Sequence, residues 1–398
     1  MSIKLKGTTA GSAVILAAPA DTSPTGTEKT FTLPTQDGDA GQILKTDGSG
    51  ALSFTDNLSS GRNLIINGAM QVAQRGTSTS GTGGGYKAVD RFRYTRSGFT
   101  PSLAFSQETD GPDGFANSFK IAVNTASSVG AGDYAEWRQH IEAQNLQHLG
   151  YGSASAKALT LSFYVKSNVT GTYSVALTQD DSSRRQSATY TVSSSGTWEY
   201  KTITIAGDAS GTINNDNGSG LTLRYALSAG SNYTSGSTGT WSTTTANQYA
   251  GHAVDLLGTN SNYWQITGIQ LEVGEAATSF EHRSFGDELR RCQRYRYQID
   301  LGTNSLVSHI VLARFSAGSG VAYAGRQLPV EMRANPNFSF TGATLGSAGY
   351  AGNPVLNRAT KSFFDIKSTN HVAANGILFL RTSSSSGSVL VLNLDAEL

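Results

Sequence analysis

The chain's 398 residues exceed what one hydrophobic core ordinarily serves, so two or three domains are expected. Only 15% of residues are charged and Gly occupies 45 positions, a mixture that favours short strands with small-residue turns and excludes long charged surface helices. Lys+Arg 30 against Asp+Glu 29 leaves a net charge of +1, which excludes a broad pull toward nucleic acid or an anionic membrane and permits a neutral partner such as glycan.

The first segment, residues 1–60, carries short β signals at Ile3–Leu5, Val14–Leu16, Thr30–Leu33, Gln42–Thr46 and Ala51–Phe54. Asp47-Gly48-Ser49-Gly50 separates the last two and has the composition of a hairpin loop, because Gly and Asp tolerate positive φ. Large apolar residues are too few here for a private core, so sister chains or a docking partner are expected to order the segment. The apolar run Ala13–Ala18 is too short for a membrane span and lacks a signal-peptide layout. Assembly in a cytoplasm without membrane insertion is the expectation.

Residues 61–283 alternate strands and loops. Leu159, Leu161, Phe163 and Val165 share one face, and Thr160, Ser162, Tyr164 and Lys166 the other, a period of two that predicts a strand with one buried and one wet side. Tyr173, Val175 and Leu177 repeat the pattern. Further strands are predicted at Arg91–Thr95, Phe119–Val123, Ala135–Ile141, Ala188–Val192, Tyr200–Ile205 and Leu221–Ala226. Strands at this spacing without intervening helices predict an antiparallel two-sheet sandwich. Along Trp264–Val273, the apolar parity switches at Thr267-Gly268, which predicts a β-bulge there.

Residues 284–297 are expected to form a short linking helix, best over Gly286–Tyr297, with Asp287 and Glu288 early and Arg290, Arg291 and Arg294 late, as the helix dipole favours. The one cysteine excludes an intramolecular disulfide framework, and Cys292 reads as a small buried hydrophobe. Beyond, residues 298–398 hold strand signals at Leu306–Phe315, Val321–Tyr323, Ile377–Leu380 and Val389–Leu394; Pro329 and Pro336 suit strand edges or starts. The predicted fold is all-β: an extended N-terminal anchor, a jelly-roll sandwich, a linking helix and a small C-terminal β-sandwich.

Several of these stretches resemble bacteriophage tail fibres, cyanophage ones in particular. TFTLPTQDGDAGQILKTDGSGALSF is similar to their N-terminal regions. NLIINGAMQVAQRG (Asn63–Gly76), DRFRY (Asp90–Tyr94) and WQITGIQLEVGEAATSFEHR (Trp264–Arg283) resemble the borders of their carbohydrate-binding-like jelly rolls. ELRRCQRY (Glu288–Tyr295) is similar to their EL-x-x-CQRY helix, QLPVEMRANPNF (Gln327–Phe338) to the stretch that follows, and NLDAEL (Asn393–Leu398) to their terminus. The resemblance implies a homotrimer in the virion, joined by its N-terminus to a tail or baseplate protein. It also implies attachment to host-surface polysaccharide or lipopolysaccharide, with residues 298–398 as a receptor-binding tip.

Chemistry is sparse. The histidines His140, His148, His252, His282, His309 and His371 are scattered and form no metal motif; no nucleophile elbow and no P-loop is present. Gly81–Gly85 reads as a flexible loop unframed by strand or helix. The acidic clusters Glu108/Asp110/Asp113 and Asp180/Asp181 read as turn chemistry, and no enzyme is expected. No cofactor is expected, although the oxygen-rich stretches Asn214–Gly218 and Asp110–Asp113 leave structural calcium open. Arg interleaved with Tyr in 290–297 reads as structural, and no nucleic-acid partner is expected. Sugar recognition calls for aromatic plates beside polar groups; Tyr233, Trp241 and Tyr249 are the candidates in the sandwich, and Tyr323, Tyr350 and Phe363 those in the terminal domain. A polysaccharide-depolymerising tailspike and a purely structural virion or capsid-decorating protein are the alternatives.

Overall fold

The structure is a computed structural model that describes residues 2–6, 13–17, 32–35, 42–56, 61–300, 313–316, 321–341, 355–368 and 391–398. The chain divides into two compact units, Met1–Gly61 and Arg62–Leu398.

The first unit consists of antiparallel pairs: β1 (Ser2–Lys6) with β2 (Ala13–Ala17), and β3 (Gln42–Thr46) with β4 (Leu52–Asp56). The predicted turn is present. The Asp47 carboxylate accepts from the Ser49 and Ala51 backbone N–H groups at 2.7 and 3.0 Å, and Gly48 and Gly50 take positive φ. Of the stretch Thr30–Leu33, the described part is a single bridge from Thr32 to Ala51. Ile43 and Leu44, which point to opposite faces of the hairpin, are both about half exposed.

The second unit opens with the sandwich. Its strands are β5 (Ser78–Gly81), β6 (Gly85–Tyr86), β7 (Arg93–Ser97), β8 (Ser102–Glu108), β9 (Ser118–Thr125), β10 (Tyr134–Glu142), β11 (Leu159–Ser167), β12 (Gly171–Gln179), β13 (Arg184–Val192), β14 (Glu199–Ile205), β15 (Ser219–Ala229) and β16 (Tyr263–Val273). They form two six-stranded sheets with the orders β13-β12-β15-β10-β7-β6 and β14-β11-β16-β9-β8-β5. Every pairing among them is antiparallel. β5 and β6 fall in different sheets, so Thr82–Gly84 is the crossing between them; the expectation of an unframed loop at Gly81–Gly85 is corrected. Arg91, expected to start a strand, has φ 74° and precedes β7.

Alternation builds the core. Trp137 of one sheet lies parallel between Phe92 at 4.0 Å and Phe119 of the other sheet at 4.7 Å, and meets Trp264 edge-on at 5.7 Å. Rings of this size dominate core energetics, and stacked or edge-on contacts add to their burial. The predicted bulge is present: the β11–β16 register skips between Ser162 and Tyr164, and Gly268 has φ 64°. The wet face predicted for β11 needs correction. Thr160 and Ser162 are both buried; over Thr160 lies the residue after β16, Gly274, whose carbonyl accepts from Thr160 Oγ1 at 2.8 Å.

A single turn, α1 (Ser231–Thr234), precedes β16, and α2 (Phe285–Gln293) follows it. Ser284 caps α2 by accepting from the Asp287 N–H at 3.2 Å. The helix ends four residues short of the predicted Tyr297. Tyr295 leaves it to lie under the Arg91 guanidinium at 3.2 Å, and Tyr297 belongs to the next strand. α2 is also no free spacer: Glu288 accepts from the Asn67 N–H and pairs with Arg283 at 3.4 Å, and Cys292 is fully buried.

Among the described residues, the C-terminal part has two antiparallel sheets. β17 (Arg296–Asp300), β23 (Val391–Asp395) and β20 (Asn337–Thr341) form one, in the order β17-β23-β20. β18 (Ala313–Ser316), β19 (Val321–Gln327), β22 (Phe363–Ser368) and β21 (Val355–Ala359) form the other, in that order. Pro336 directly precedes a strand, as expected, while Ile377–Leu380 lies outside the described residues. Arg333 of the MRA stretch donates to the carbonyls of Ala396, Asn217 and Glu397, which fastens the chain's last residues to the sandwich.

Candidate functional site

The outer face of the β13-β12-β15-β10-β7-β6 sheet is set by the parity opposite to the core. Tyr94, Trp137, Leu223, Tyr225, Val175 and Leu177 point inward. Their neighbours Arg93, Arg138, Arg224, Ala176, Thr178 and Ser187 therefore point outward. Register then places Arg224 beside Arg138, and Arg138 beside Arg93, so that three arginines from adjacent strands stand in one row. In the next row, Arg185, Thr178, Thr222 and His140 are neighbours.

Glu136, fully buried, anchors this face. Its carboxylate accepts from Arg138 at 2.8 Å, from Arg224 at 2.8 and 3.1 Å, and from the Tyr249 hydroxyl. Two cations and a phenol offset the desolvation of one anion. Asp180 closes one end, accepting from Thr222 at 2.5 Å and from Ser219, with Arg224 3.7 Å away. Burial pushes the Asp180 carboxyl up, but hydrogen bonds from His140, Ser219 and Thr222 outweigh it and hold the group below its ordinary range. His140 lies 3.7 Å from Asp180, yet burial wins there and lowers its imidazole, so the ring is neutral at neutral pH.

Several buried polar atoms on this face find no hydrogen-bond partner among the described residues: Thr95 Oγ1, Thr178 Oγ1, Ser187 Oγ, and Nε of Arg93, Arg138, Arg185 and Arg224. Buried polar groups are nearly always paired, so orphans on this face mark places for ordered water.

Two of the predicted aromatics meet here. Tyr134 of β10 contacts Tyr233 edge-on at 5.0 Å and Tyr249 at 6.0 Å, making a cap above Glu136. Tyr233 is partly exposed, whereas Tyr249 is fully buried and offers no open ring face; its hydroxyl serves Glu136 and accepts from Gln248 at 2.8 Å. Trp241 stands elsewhere, edge-on to Tyr151 at 5.8 Å, with its indole N–H on the Ala206 carbonyl at 2.7 Å. Phe363 is exposed and its ring closes over Gly325, where a Cβ would meet it at 2.4 Å. Tyr323 belongs to β19, and Tyr350 lies outside the described residues.

The arginine row and Tyr134 were not among the sequence-predicted site residues. Charged residues at alternate strand positions look like an ordinary solvated face, and only pairing between β7, β10 and β15 lines them up. Of the acidic clusters, Asp180 belongs to this face, while Asp181 and Asp110 hold loops in place. Asp181 accepts from the Asn214 backbone and side chain at 2.9 and 2.8 Å, and Asp110 pairs with Lys166. Among the described residues, no three His, Cys, Asp or Glu side chains converge to hold a metal ion. An aromatic strip on the other sheet, Tyr200–Tyr164–Phe115–Phe280, glues the 110–117 loop and the 275–282 segment onto that sheet.

No protein-family model matches the chain, and no curated protein matches it. Similar solved structures include the enzymatically active domain of tailspike protein 4 from bacteriophage CBA120, at 13% identity and TM-score 0.30, covering 54% of this chain and 22% of that one. The family 11 carbohydrate-binding module of cellulase Lic26A-Cel5E from Clostridium thermocellum is similar at 12% identity and TM-score 0.27, covering 50% and 98%. The C-terminal family 22 module of Xyn10B from the same organism is similar at 10% identity and TM-score 0.27, covering 55% and 98%. Likenesses of this size decide neither ligand nor activity.

Proposed function

We propose that the protein is a non-enzymatic attachment protein of a bacteriophage tail fibre, whose large sandwich holds a host-surface polysaccharide or lipopolysaccharide. The N-terminal segment joins the virion through a tail or baseplate protein, and three copies assemble, so that weak sites act together. The fibre-like motifs, found in the expected order, support the virion assignment. The observation that carries the glycan reading is the outer face of the β13-β12-β15-β10-β7-β6 sheet: arginines and hydroxyl side chains aligned in register, with the partly open Tyr233 ring beside them. Sugars ask for this pairing of hydrogen-bonding groups with an aromatic surface.

Glycan-array binding by the full-length protein, paired with an assay for released reducing ends, tests the reading. Binding without release is expected, and Tyr233→Ala should weaken it about tenfold, the order of one lost aromatic contact. Release of reducing ends would replace the adhesin by a depolymerase. Absence of binding to any glycan and to host cells would leave a purely structural virion role.

A further inference from the structure

We propose that the sheet face bearing Arg93, Arg138 and Arg224 takes an acidic saccharide, with an anionic substituent of the sugar held above this row. The inference rests on the glycan reading and adds the charge class of the ligand. Arg138 is the direct cross-strand partner of both Arg224 and Arg93. Like charges placed directly opposite one another in a sheet repel, and such pairs persist only with compensation. Glu136 supplies it for Arg138 and Arg224, but the Arg93 side chain has no ion pair or hydrogen bond to any described residue. Its guanidinium stands 6.0 Å from the Tyr86 ring.

Counted over the face, Arg93, Arg138, Arg185 and Arg224 stand against Glu136 and Asp180, so positive charge is in excess by two. Glu142, at the far end of β10, is already matched by Arg294 at 2.8 Å. An incoming carboxylate or sulfate would accept from the free guanidinium and halve that excess, and the planar fork of Arg suits such two-oxygen groups. The excess is local, since the chain's net charge is only +1. So small and local an excess fits a substituted sugar better than a nucleic acid, whose backbone asks for a long basic track.

The test compares binding of the full-length protein to oligogalacturonate and its carboxyl-reduced counterpart, to dextran sulfate and dextran, and to single-stranded DNA. An acidic probe should bind about tenfold or more tighter than its neutral partner, as a charge-assisted contact predicts, and the better acid identifies the anion as carboxylate or sulfate ester. Arg93→Gln should abolish that preference while leaving the melting temperature unchanged or raised, since it removes repulsion and breaks no pair. Equal binding of neutral and acidic forms overturns the inference but spares the glycan reading; binding to no saccharide overturns both. Tighter, steeply salt-dependent DNA binding, or an Arg93→Gln protein that keeps its preference, also overturns it.

Discussion

Two buried groups show how single residues set the response to pH. Burial lowers the His252 imidazole to about 4, and its Nδ1 accepts from the Ser174 N–H at 3.1 Å. Its contribution is complete above the unfolded pKa near 6.5 and is lost as pH falls toward the folded value, amounting to about 3 kcal/mol. Asp90 acts in the opposite direction. Burial raises its carboxyl to about 6 despite Arg75 at 3.3 Å, so its contribution is complete below the ordinary carboxylate range and is lost as pH rises through 6. The two nearly cancel between pH 4 and 6.5. In urea unfolding across that window, Asp90→Asn should gain stability with rising pH relative to wild type, and His252→Gln should lose it. Parallel profiles for all three proteins would show that neither group is held as described.

At the scale of an element, β16 owes its shape to one glycine. Gly268 takes φ 64°, and a Cβ there would meet Phe115 Cζ at 2.7 Å and Tyr164 Cδ2 at 3.1 Å. The bulge moves Ile269 and Leu271 onto the core side while making room for the ring that fastens the 110–117 loop. Gly268→Ala should therefore destabilise the sandwich by about 2 kcal/mol or more, from left-handed strain plus displacement of Phe115. A shift in urea midpoint equivalent to less than about 0.5 kcal/mol, within the range of neutral surface changes, would remove the bulge from its assigned role.

For the whole molecule, the N-terminal unit poses the question of assembly. Leu33, Ile43, Leu44 and Phe54 are all exposed, the first at 69%. A two-stranded hairpin with apolar side chains on both faces has too little to bury alone. Sister chains are the proposed cover, so light scattering of the full chain at micromolar concentration should give three times the 41.8 kDa chain mass. Deleting residues 1–60 should lower the oligomeric state. A homogeneous monomer of the intact chain would count against the trimer.

Much of this fold is legible in the residues themselves. The alternation in β11, β12 and β16, the Asp-Gly hairpin and the parity switch at Gly268 are local signals, because a strand's period of two and glycine's freedom at positive φ act over neighbouring residues. Which face stays wet was beyond that reach: Thr160 looks solvated in sequence but lies under a segment more than 100 positions away. The helix that stops at Gln293 is a further case, since Arg91 and the pairing of β17 with β23 draw Tyr295 and Tyr297 out of a pattern that is locally helical. The arginine row and the Tyr134–Tyr233–Tyr249 cap come from strands and loops far apart in the chain. Local chemistry determined that this protein would be built of two-faced strands; only the pairing of distant strands, which sets who stands beside whom, decided where its charges and rings converge.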